Sequence, residues 1–283
     1  VTQDVPGAPR AASVNPALLP NPATLWRGAV RFVSKTLVIA ELEARKLRHD
    51  PTEIFTRAVQ PALWLLVFGQ VFTNIRAIPT GGLRYIDFMA PGILAQSILF
   101  MSIFTGITVI WERDLGIVHK FLVTPVPRTA LVLGKGLSAG VRALSQVIII
   151  YGLALLVGVN LNWNPLALLG VPLVAILGAV IFSTFSLIIG SLLKTREGMM
   201  GIGQVLTMPL FFASNAIYPV SIMPGWLQVI ACVNPLSYEV DALRALMVGQ
   251  ASAIGLGVDL LVLLTVASVL VILGGRLYPN VVT

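Results

Sequence analysis

Six stretches of this chain run apolar for about 20 residues, the length a helix needs to cross a bilayer. They lie at 54–74, 86–110, 137–158, 165–190, 201–219 and 254–275, and most charged residues fall between them. None shows the in–out alternation of a barrel strand. In hydrocarbon a single segment can satisfy its own backbone only as a helix. The pattern therefore predicts an all-α polytopic membrane protein with six spans, in a transmembrane domain covering 53–281.

The flanking segments read differently. Residues 1–24 hold Pro6, Pro9, Pro16, Pro20 and Pro22 among few large apolar side chains, the signature of a disordered cytoplasmic tail. They lack the apolar core of a cleaved signal peptide, so insertion is expected to start at the first span. In residues 25–52, Trp26, Val30, Val33 and Leu37 share one helical face, while Arg27, Arg31 and Lys35 recur beside it. Glu41 and Arg45 add a favourable i,i+4 pair. A basic amphipathic helix of this kind lies in the headgroup layer against anionic lipid. An ordinary surface helix is the alternative.

Two connections carry further pattern. In 111–136, Trp111, Leu115, Val118 and Leu122 share a face, with Glu112, Arg113, His119 and Lys120 polar. Pro125 should end that helix near Thr124. The segment can either rest on the lipid surface or pass motion from a soluble partner into the spans. Residues 220–250 are too broken to span and too apolar for an open loop, since Trp226, Leu227, Val229, Ile230, Leu243 and Leu246 lie there. They predict short re-entrant helices between spans five and six. Asn234 caps one that begins at Pro235 and stops at Gly249, and Asp241 and Arg244 are spaced to pair on it.

Composition narrows the function. The chain has 283 residues, 57% of them hydrophobic and 11% charged, with a mean hydropathy of +0.90. Soluble domains carry about 25% charged residues, so a large water-soluble enzyme is excluded. The net charge of +7 is topological. With both termini cytoplasmic, all lysines and arginines except Arg76, Arg84 and Arg244 fall inside. No nucleic-acid partner is implied, and the expected location is the cytoplasmic membrane. Cys232 is the single cysteine, and the two histidines, His49 and His119, have no metal-site spacing, so no metal site is expected. Gly134-Lys135 lacks the upstream glycine of a phosphate loop. No serine–histidine or zinc-protease constellation is visible. No catalytic residue is therefore assigned, and no cofactor is expected on this chain.

Cargo contact is sought among aromatic, methionine and polar residues of the spans. Met89, Gln96, Phe100 and Phe104 recur at helical spacing in span two, and Met208, Phe211, Phe212 and Asn215 cluster late in span five. Such surfaces re-pack around varied apolar shapes, although plain helix packing uses the same residues. No acid occupies the middle of a span and no inverted repeat is visible, which argues against a proton-driven secondary transporter.

The residues that carry a family likeness are Glu112-Arg113, Gly116 and Leu122-Val123-Thr124-Pro125 in one loop, and Asn234-Pro235 with Asp241-Ala242-Leu243-Arg244 in the other. In this order the chain, over roughly 35–280, resembles a permease of the type-2 ABC exporter superfamily. It is most similar to the antibiotic-resistance (daunorubicin-exporter-like) and nodulation-factor exporters. The resemblance implies a coupling helix at about 111–124, in which Glu112, Arg113, Gly116, His119, Phe121, Leu122, Thr124 and Pro125 meet an ATPase subunit. It implies two copies of that subunit, which binds ATP and Mg, and a second permease chain, identical or related. It assigns Asn234, Pro235, Asp241 and Arg244 a structural part in the re-entrant helices. The implied activity is outward export of hydrophobic or amphiphilic cargo, a drug or lipid, with a lipid-linked glycan as the alternative.

Overall fold

A computed structural model describes residues 59–75, 78–115, 128–193 and 195–278. The tail, the amphipathic segment 25–52 and most of the 111–124 segment lie outside these residues. Among the described residues every regular element is helical. In chain order they are α1 (Val59–Ile75), α2 (Tyr85–Asp114), α3 (Arg128–Val157), α4 (Pro165–Leu192) and α5 (Arg196–Phe212). A 3₁₀ turn at Val220–Ile222 precedes α6 (Gly225–Val233), α7 (Pro235–Val248) and α8 (Leu256–Leu277).

Four of these are long and apolar enough to cross a membrane, namely Tyr85–Phe104 within α2, then α3, α4 and α8. This makes the chain a multi-pass membrane protein. The other two expected spans differ. The described part of the first, α1, is a shorter apolar helix with π-helical turns at Trp64–Gly69. The expected fifth span, 201–219, ends at Phe212, because 213–216 turn instead of continuing the helix. The run stays apolar past that point, so hydropathy alone overshoots the end. In the opposite sense, α3 starts at Arg128, nine residues before the apolar run at 137. Charged residues end a hydropathy window but not a helix.

The core gathers on α4, which packs against α2, α3, α8 and α7. Small residues allow the close approaches. On α3, Gly136 and Gly140 meet Val180 and Ile176 of α4, as expected for a GxxxG contact. α4 and α7 start alike. Asn164 and Asn234 each accept the backbone N–H two residues on, at 3.0 Å, and a proline occupies the first helical turn. That cap satisfies a donor the helix leaves orphaned. Gly249 ends α7 at φ +76°, a left-handed conformation that costs glycine little.

Candidate functional site

Two polar assemblies sit at opposite ends of α2. At its start, Arg84 donates to both oxygens of Asp87 at 2.9 Å, and Asp87 also accepts from the Asn160 N–H at 3.0 Å. The Asp87 hydrogen bond pushes the Arg84 guanidinium above its ordinary value. This clamp fixes the α3–α4 connection to α2. Spacing gave no sign of it, because Asp87 and Asn160 are 73 positions apart.

Beside it, α7 is held by side chains on both of its flanks. Arg244 is buried. Its Nη2 donates to the Asn215 carbonyl at 2.8 Å and its Nε to the Phe88 carbonyl at 3.3 Å. The guanidinium carbon lies 3.8 Å from the centroid of the Phe88 ring, a cation–π contact. Asp241 goes elsewhere, accepting from the Ala253 N–H at 2.8 Å and the Ser252 hydroxyl at 3.0 Å. The Asp241–Arg244 pair read from the spacing is therefore not made. Each side chain is captured by a different connection before it can turn to its neighbour.

Asn234 does more than cap. Its Nδ2 donates to the carbonyls of Leu210 at 2.7 Å and Ala213 at 3.2 Å, which ties the end of α5 to the start of α7. Asn234→Ala is expected to lower stability by about 1–2 kcal/mol, near the upper range for a lost cap. Asn234→Ser should recover the cap but not the bonds to α5. Thermal melting of the three proteins in detergent measures both effects.

At the far end of α2, Glu112 is ion-paired with Lys135 of α3. The Lys135 ammonium stands 6.0 Å from the ring centroid of Tyr278, which follows α8 and is fully buried. Arg113 donates to the Leu193 carbonyl at 3.0 Å, beyond the end of α4. Glu112 and Arg113 thus bind the end of α2 to α3, α8 and the α4–α5 junction. Helix α2 runs unbroken through Trp111–Asp114, so this part of the expected coupling helix continues the span. The other six residues assigned to coupling, Gly116, His119, Phe121, Leu122, Thr124 and Pro125, lie outside the described residues. Lys135 and Tyr278 were not marked by any sequence motif.

The cargo-contact candidates fall into two groups. Met89, Gln96, Phe211 and Asn215 are buried within the protomer. Phe100 and Phe104 are half-buried, with ring centroids 5.1 Å apart. Met208 and Phe212 are exposed on α5, and Leu63, Val67, Phe68 and Val71 are exposed on α1. Trp64 meets Phe211 edge-on at 5.9 Å and joins the two helices. Among the described residues no group of three His, Cys, Asp or Glu side chains could hold a metal ion. The chemistry on offer is mechanical: tight ties at both ends of one long helix, and an apolar flank.

Comparison with known proteins agrees with this architecture. The model of the ABC-2 type transporter family matches residues 35–248. The daunorubicin resistance ABC transporter permease protein DrrB1 of Streptomyces coeruleorubidus is 28% identical over 248 residues, covering 88% of this chain and 87% of that one. The ycf38 transport permease of Cyanophora paradoxa is 29% identical over 218 residues, covering 76% and 74%. The doxorubicin resistance ABC transporter permease DrrC of Mycobacterium tuberculosis is 25% identical over 223 residues, covering 77% and 78%.

Proposed function

Because the chain belongs to the ABC-2 type transporter family, we propose that it is the membrane half of an exporter of hydrophobic or amphiphilic drugs, driven by ATP hydrolysis on separate subunits. The observation that carries this reading is the family match across residues 35–248. The drug-resistance names of DrrB1 and DrrC support the cargo class. ATP and Mg belong to the partner ATPase, present in two copies, and a second permease chain completes the pathway. Both termini face the cytoplasm, as the lysine and arginine distribution favours.

In this reading the ATPase subunits press on the 111–124 segment. Glu112 and Arg113 stand at its start, so a push there reaches α3 and α8 through Lys135 and Tyr278. It reaches the α4–α5 junction through the Leu193 carbonyl. The spans then tilt, and the path changes from inward to outward access.

Glu112→Gln and Gly116→Val test the assignment in the assembled transporter, with daunorubicin as the probe. Both variants should assemble with the ATPase yet export less drug per ATP hydrolysed. The expected loss is about fivefold or more, matching a coupling free energy of about 1–3 kcal/mol. Normal export by both variants would remove the coupling role from this segment. ATP-independent export that collapses with an uncoupler would overturn the ATP-driven reading itself.

A further inference from the structure

Glu239 stands out among the buried groups that the reading above does not use. Its side chain is fully buried, and among the described residues neither carboxyl oxygen has a hydrogen-bond partner. The carboxyl lies against Gly178 of α4, where a Cβ would stand only 2.2–2.5 Å from its atoms. The missing side chain at 178 is what makes the recess. Leu246 meets Gly170 in the same way, at 3.0 Å, so α7 runs antiparallel along α4 between those two glycines. Gly178 sits in the middle of Pro165–Leu192. The structure thus brings an acid to the mid-depth of a span although the spans themselves carry none there.

Among the described residues no charged group is placed to compensate it. Helix α4 contains no titratable residue, and α2 contains none between Asp87 and Glu112. Asp87 is held by Arg84 and Asn160 at the outer clamp, and Glu112 by Lys135 at the far end. On α8, Asp259 is bonded to Ser252 in the first turn and Arg276 lies in the last. On α7, Arg244 is bonded to two carbonyls, Asp241 to the Ser252–Ala253 loop and the Tyr238 hydroxyl to the Cys232 carbonyl. Cys232 follows on α6, exposed. An ionised carboxylate cannot be held in such a place without a counter-charge or donors, and it takes up a proton instead. One lone carboxyl is also too few ligands for a metal ion.

We propose that Glu239 is a proton-binding site: the carboxyl holds a proton while α7 lies on α4, and gives it to water when the two helices part. The O–H bond breaks, its electron pair stays on the carboxylate, and the proton leaves with the water admitted between the helices. Parting of α7 from α4 is then proton-linked, whatever drives it and whatever the cargo.

The test uses the purified full chain in lipid nanodiscs, so it does not depend on the ATPase or the cargo. Infrared absorption at neutral pH should show the carbonyl stretch of a protonated carboxylic acid. Glu239→Gln should remove that component, and Asp259→Asn and Asp241→Asn should keep it. A neutral-pH spectrum unchanged by Glu239→Gln would overturn the proposal. Linkage gives a second readout. The folded state holds a proton that the unfolded chain releases above the ordinary glutamate range, so wild-type stability falls as pH rises through that window. Relative to Glu239→Gln, the wild-type unfolding constant should grow by up to about tenfold per pH unit. Parallel pH profiles would refute the site. Gly170→Cys with Leu246→Cys, in a Cys232→Ser background, closes α7 onto α4 by a disulfide. The oxidised protein should keep the acid band to higher pH than the reduced one. Identical titrations would show that the proton is not tied to helix seating.

Discussion

Replacing Arg244 by leucine is expected to cost the folded chain about 2–5 kcal/mol, the scale for breaking a buried charged network. The side chain is 5% exposed and spends its donors on two backbone carbonyls, those of Phe88 and Asn215. Leucine fills much of the space but leaves the Asn215 carbonyl without this donor and removes the stacking on Phe88. It also withdraws the positive charge near Asp241. Arg244→Lys should fall between, because an ammonium keeps the charge but lacks the flat fork that reaches both carbonyls. Detergent-solubilised protein should melt in the order wild type, lysine, leucine. Coincident melts would mean that these bonds do not hold α7 in place.

Gly92→Ala should be comparably damaging, at about 3 kcal/mol or more, the upper end for forcing extra atoms into a packed core. A Cβ at 92 would stand 2.3 Å from the Ala216 carbonyl oxygen and 2.8 Å from its Cα. The obstacle is main chain, so no rotamer change relieves it, and α2 must move away from the 213–216 turn. That shift would also disturb Asn215, which receives Arg244. Gly152→Ala is the matched control. It lies within α3 with nothing within 4 Å of the added carbon, and alanine there should be neutral or stabilising by up to about 1 kcal/mol. Melting temperatures of the two variants should therefore move apart; equal shifts would discount the close approach at Gly92.

Helices were legible wherever their own sequence settles the matter. Asn234, Pro235 and Gly249 mark the bounds of α7 through local capping chemistry, and the structure places the helix between them. Hydropathy finds where lipid-compatible side chains begin and end, which is a different question from where a helix does. It therefore misses Arg128–Gly136 at the start of α3 and runs past Phe212 at the end of α5. Contacts between distant segments were not legible. Asp241 and Arg244 are well spaced to pair, yet tertiary partners claim both. Nothing in the local sequence sets Glu239 apart, and only the packing of α7 on Gly178 buries it. Nor does any local pattern pair Lys135 with Glu112, which stands 23 positions earlier.

Helix α2 has 30 residues, about 45 Å at the rise of an α-helix, and it carries one anchored assembly at each end. Moved as one body, such a rod would act as a lever. Rocking it about its midpoint by roughly ten degrees displaces each tip by about 4 Å, enough to open or close a hydrogen-bonded contact. In the proposed reading, a push beside Glu112 would therefore move the Asp87 end of the same helix as well.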